Sequence, residues 1–84
     1  MDATNTLQSL TRILRDLLGD ASIELARDTT REDIPEWNSF NYINFIVAVE
    51  IEFGIKFRIA DVESFPDVGA IADKVDALAS RTKP

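Results

Sequence analysis

The chain predicts an all-α fold, a small four-helix bundle of three main helices and one short one. Three observations lead there. Apolar residues recur at helical spacing over 7–18 and again over 68–78. Between them, residues 39–53 form an apolar run without glycine or proline that is long for a strand. The glycines are isolated at 19, 54 and 69, and the first two fall just past the ends of the first two blocks. With 84 residues the chain has room for a single domain, 1–84, with a small core near the lower limit of what folds unaided.

In the first helix Leu7, Leu10, Leu14 and Leu17 mark one face, widened by Ile13 and Leu18. Gly19-Asp20 supplies the stop, because glycine accepts the left-handed conformation that closes many helices. Residues 20–38 lack sustained periodicity and contain Pro35, so they read as a long loop between helices 1 and 2. A connection of that length in so small a domain is either functional or tucked against the core. Its expected anchors are Ile23, Leu25, Ile34 and Trp37, with Trp37 a core or lid residue.

The run from Ser39 to Phe53 is locally ambiguous, since Ile43, Phe45, Val47, Val49, Ile51 and Phe53 alternate as a strand does. Its length and Gly54 favour a helix. On a helical wheel Tyr42, Phe45, Ile46, Val49 and Phe53 gather on one side. Phe40, Ile43, Val47 and Ile51 gather nearly opposite, with Glu50 among them and Asn44 beside them. The aromatic-rich side is the expected core face. The other side is either an exposed partner surface or a stripe covered by the loop 20–38. A short helix within 60–65 follows Ile55, Phe57 and Ile59. Pro66-Asp67 then opens the last helix, whose face carries Val68, Ile71, Val75 and Leu78. Residues 80–84, SRTKP, read as a polar tail that frays.

Fifteen acidic against nine basic side chains give a net charge of -6. This weighs against nucleic-acid binding through phosphate neutralisation, and leaves either basic partners or a merely solvated acidic surface. Without cysteine or histidine the chain has no disulfide, no thiolate nucleophile and no imidazole base or ligand. No calcium loop or glycine-rich phosphate loop is present, and neighbouring acids such as Glu50 and Glu52 do not face each other on a helix. The expectation is a non-catalytic protein without a metal site. No signal-peptide pattern or membrane-spanning run appears, so a cytoplasmic protein without membrane insertion is expected.

Ser39, at the start of the second helix, has no neighbouring base to activate it, so any reaction there needs geometry supplied by another protein. Locally, Asn38 or Ser39 also suits a plain helix cap. The run DIPEWNSFNYINFIVAVEIEFGIKF resembles the centre of an acyl carrier protein. The matching residues are Trp37, Asn38, Ser39 and Phe40, then Glu50, Glu52, Phe53, Gly54 and Ile55. That resemblance implies a carrier bundle with a long first loop. It also implies that a phosphopantetheinyl transferase places 4′-phosphopantetheine from coenzyme A on Ser39. The arm would carry an acyl group as a thioester between acyl-loading and acyl-transferring enzymes, in fatty-acid, polyketide or another specialised acyl transfer.

By the same resemblance the second helix docks partners, and Phe40, Asn44, Val47, Glu50 and Ile51 occupy the docking positions of a protein expected to be a monomer. Two departures stand out. Asn38 replaces the usual aspartate, which keeps a cap but removes a charge of use to the transferase or its magnesium. Asn44 and Ile51 replace frequent glutamates, which points to a more apolar, dedicated partner. The alternatives are a carrier-like interaction module that is never modified, and a carrier of aminoacyl groups.

Overall fold

A computed structural model of the chain describes residues 3–82. Among the described residues the chain forms four α-helices: α1 (Ala3–Leu18), α2 (Ser39–Phe53), the short α3 (Ile59–Ser64) and α4 (Val68–Thr82). The long loop between α1 and α2 carries one 3-10 turn, Arg31–Asp33. The all-α reading and the order of its elements hold.

The core lies where α1, α2 and α4 meet. Leu10, Ile13 and Leu14 of α1 face Phe45, Ile46 and Val49 of α2, and Val68, Ile71, Ala72 and Val75 of α4 close the third side. Thr6 is buried with them, and its hydroxyl donates to the Asp76 carboxylate, so this buried polar side chain is satisfied across the α1–α4 seam. Leu17 departs from the expected core face and is 37% exposed. At the last turn of α1 it lies on the rim of the α1–α2 seam, in a shallow hollow beside Ile13, Ala48 and Glu52, where no third helix covers it.

Both long N-terminal helices stop by the same device. Gly19 and Gly54 take φ values of 65° and 64°, which is left-handed. The next amide in each case reaches back five residues, Asp20 N–H to Arg15 O and Ile55 N–H to Glu50 O, both at 3.1 Å. These bonds draw the chain back over the last turn and give partners to the amides that leave each helix.

The loop 20–38 is tucked against the core. Ile23, Leu25 and Trp37 are buried and Ile34 partly so. Its path is fixed by two backbone bonds onto the start of α4: Val68 N–H donates to Thr29 O at 2.9 Å and Gly69 N–H to Arg27 O at 2.7 Å. A Cβ at Gly69 would meet Arg27 O at 2.8 Å, so this approach requires glycine. Trp37 meets Phe45 edge-on at 5.1 Å between ring centroids and Tyr42 at 6.1 Å.

Ile55 and Phe57 point inward from an extended stretch, while Ile59, next in that alternation, falls on α3 and is exposed. The Asp67 carboxylate accepts the Ala70 N–H at 2.9 Å and so caps α4. That helix continues to Thr82, so residues 80–82, expected in a fraying tail, are helical. Residues 83 and 84 of that tail lie outside the described residues. Among the described residues no helix is long and apolar enough to cross a membrane.

The two kinds of glycine constraint separate experimentally. Nothing lies within 4 Å of a Cβ built on Gly54, so Gly54→Ala meets only backbone strain. Urea unfolding should show a loss of about 1–2 kcal/mol. Gly69→Ala should lose more, because there a backbone oxygen must move.

Candidate functional site around Ser39

Ser39 is the first residue of α2, and Asn38 is its N-cap. The Asn38 backbone is extended and its Oδ1 accepts the Asn41 N–H at 2.9 Å. The Asn41 side chain in turn donates to Glu36 O at 2.7 Å and pins the chain entering the helix. A neutral amide thus performs the capping that an aspartate would perform. Ser39 is exposed, and among the described residues no group is hydrogen-bonded to its hydroxyl.

Two clefts flank this serine. One, of about 260 Å³, opens between α2 and α3 and is walled by Tyr42, Ile43, Val62, Glu63 and Phe65. The other, of about 300 Å³, faces the loop and is lined by Glu32, Trp37 and Asn38. Arg31 lines both. Its guanidinium carbon sits 4.6 Å from the centroid of the Tyr42 ring. The Tyr42 hydroxyl donates to Val62 O at 2.6 Å and ties α2 to α3. Burial pushes the Tyr42 phenol above its usual range, and the Arg31 charge partly offsets that.

Along α2 the second apolar side is uncovered. Phe40 is 74% and Ile51 77% exposed, with Ile43 and Val47 about half exposed between them. The loop 20–38 therefore packs on the aromatic side and leaves this stripe bare. Asn44 is half-buried beside it. Glu50 is placed differently from its apolar neighbours. Its carboxylate accepts the Phe57 N–H at 2.8 Å, and its carbonyl accepts the Gly54 and Ile55 amides, so it closes the end of α2. Glu52, two residues further on, pairs with Arg12 of α1 at 2.8 Å.

The fold is shared with a solved protein. A holo acyl carrier protein from Geobacter metallireducens, whose solution structure is known by NMR, superposes with a TM-score of 0.85 at 39% sequence identity. The match covers 90% of this chain and 87% of that one. The chain belongs to the acyl carrier protein family. No protein-family model matches its sequence, and no curated protein does.

As an acyl carrier protein the chain can be set against its expected site. Trp37, Asn38 and Ser39 meet at the α2 start as a buried anchor, a cap and an exposed hydroxyl. Phe40, Val47 and Ile51 share the exposed stripe, whereas Glu50 is drawn to the helix end. Among the described residues no group of acidic side chains is gathered to hold a metal. The sequence reading missed Arg31, Val62, Glu63 and Phe65 beside the serine. They come from the loop and from the α3 region, and no local pattern couples those stretches to residue 39. The exception is Tyr42, which stands three residues after Ser39 and shares its face.

The cap makes a direct prediction. Asn38→Ala leaves the Asn41 amide without its partner and should lower stability by about 1 kcal/mol in urea unfolding. Asn38→Asp should retain the wild-type midpoint or exceed it, because a carboxylate at a helix N-terminus is favoured.

Proposed function

We propose that this acyl carrier protein works as a cytoplasmic, non-catalytic carrier whose attachment point is Ser39. The observation that carries the proposal is the state of that serine. It is exposed at the first position of α2, its hydroxyl has no hydrogen-bond partner among the described residues, and open clefts border it. Those features fit 4′-phosphopantetheine, since an incoming phosphorus can approach the oxygen without displacing a protein group. The chain offers no histidine to accept the hydroxyl proton, so a phosphopantetheinyl transferase supplies the base. In the transfer the serine oxygen forms a bond to the phosphorus of coenzyme A that joins pantetheine. The bond from that phosphorus to the departing 3′,5′-adenosine diphosphate breaks. The thiol of the attached arm supplies the thioester chemistry, which suits a chain without cysteine.

The chain's own residues then have positional duties. Asn38 holds the first turn of α2 so that Ser39 projects outward, and Trp37 anchors that turn in the core. Phe40, Val47 and Ile51, with Asn44 beside them, form the surface offered to acyl-loading and acyl-transferring enzymes. The proposed partner is dedicated and has an apolar contact face, because Phe40, Ile43, Val47 and Ile51 expose one apolar stripe along α2 rather than scattered single residues. Glu50 acts at this surface indirectly, by fixing the C-terminal end of α2.

Intact-mass measurement tests the attachment. With coenzyme A, magnesium and a promiscuous transferase, the protein should gain one phosphopantetheine, and Ser39→Ala should gain none. A folded wild-type protein that gains no mass with several transferases would sink the carrier reading and favour an unmodified docking module. Docking has its own test by calorimetric titration with the enzyme that loads the arm. Ile51→Glu should weaken binding by about 1.5–3 kcal/mol, the burial value of a large aliphatic side chain. This is roughly tenfold or more in Kd. An unchanged Kd would remove Ile51 from the interface.

A further inference from the structure

Arg31 is the cation that lines both clefts beside the proposed attachment serine, and among the described residues it has no charged partner. Among the described residues Arg12 pairs with Glu52 and Arg27 with Asp73, each at 2.8 Å, whereas no carboxylate pairs with Arg31. Glu32 and Glu63 line the clefts that Arg31 lines, but neither forms an ion pair with it. Lys56 and Arg58 also form no ion pair among the described residues, and what distinguishes Arg31 is its place at both clefts beside the serine. Its location is also fixed. It lies over the Tyr42 ring, and that ring is held by its hydroxyl bond to Val62 O. Tyr42 stands three residues after Ser39, one turn along the same helix face. The guanidinium carbon lies over the Tyr42 ring, and among the described residues no hydrogen bond engages its N–H donors, which leaves them for an anion.

The cap at position 38 adds the second half of the argument. An aspartate there would put a carboxylate in the loop-side cleft that Arg31 also lines, and would compete for Arg31. Asn38 is neutral, and its Oδ1 is committed to the Asn41 amide.

We propose that Arg31 is the anion-binding residue for the phosphodiester through which the arm joins Ser39, and that it positions the root of the arm at the α2–α3 cleft. This rests on the carrier reading. A guanidinium suits the task, since its planar fork matches two phosphate oxygens. It makes a charge-assisted contact that a freely rotating serine ester would otherwise lack. Arg31 takes no part in forming the bond. It restricts the arm's first rotors once the bond exists.

Phosphorus and nitrogen NMR on the modified protein test this, after intact mass has shown the modification. In the wild type the Arg31 Nε–H resonance should move on conversion from the unmodified to the modified form. The phosphorus line should be as broad as that of a group fixed to the domain. Arg31→Gln should sharpen it toward the line of free phosphopantetheine, Arg31→Lys should fall between, and Arg12→Gln should leave it unchanged. Should Arg31→Gln fail to fold, the movement of Arg31 Nε–H in the wild type decides the matter alone. A mass gain with an unmoved Arg31 resonance and the same phosphorus line in every folded variant overturns the Arg31 proposal and leaves the attachment standing. Absence of any mass gain overturns both.

Discussion

The fold is governed by a mismatch between one helix and the size of its domain. α2 is apolar on two opposite sides, and an 84-residue chain has core enough for only one of them. The side with Tyr42, Phe45, Ile46 and Val49 wins because it carries the aromatic rings, which bury the most area and interlock edge-on with Trp37. Everything else follows from that choice. The loop must deliver Trp37 to the inner side, so it runs along the start of α4 and is fastened there by the Val68 and Gly69 amides. α3 is then left to cover the cleft that opens beside Tyr42. The losing side, from Phe40 to Ile51, remains in water.

That choice also separates mechanical from chemical duties at the site. Capping α2 needs an oxygen acceptor and nothing more, and Asn38 supplies it. Closing α2 needs a partner for the amides that follow it, and Glu50 supplies both its carbonyl and its carboxylate. With these tasks assigned, Ser39 is asked to do nothing for the fold. A residue exposed, unbonded and placed on the rigid first turn of a helix is a suitable handle for another enzyme. Glu32 and Glu63 line the clefts on either side, and the serine itself stands beside a neutral cap and an arginine without an ion pair among the described residues.

Much of this was legible in the sequence. The periods in α1 and α4 needed only spacing, and the stops at Gly19 and Gly54 needed only the rule for left-handed residues. α2 was harder, because Ile43, Phe45, Val47, Val49 and Ile51 also alternate as a strand does. Length and Gly54 decided it, and packing of the aromatic side against α1 and α4 agrees. The wheel grouped the residues of the stripe and left open whether the loop covers it, and no local rule says that the Glu50 carboxylate will turn to an amide seven residues on. Leu17 failed for a related reason: periodicity gives a direction around the helix, not whether a neighbour waits there. The end of α4 was also read short, because polar composition at 80–82 does not by itself break a helix. Arg31 was invisible. It sits in a loop without a pattern, and its relation to Ser39 exists only after Tyr42 has been buried beneath it.

The stripe and the serine are not independent surfaces. Ile43 belongs to the exposed side of α2 and also walls the cleft beside Ser39. A partner that buries the stripe therefore reaches the cleft, and with it the first bonds of anything attached to Ser39. Such a contact would draw its affinity from apolar area, because Asn44 is neutral and the Glu50 carboxylate is engaged within the chain. Apolar docking is less sensitive to salt than docking through charges, and it forgoes some of the long-range steering that charges give. Encounter would then be slower, and selectivity would rest on shape. A rigid root for the arm makes sense in that setting. If the partner finds the carrier by fitting α2, the arm need not search every direction, and a residue that aims it along the same wall shortens the search.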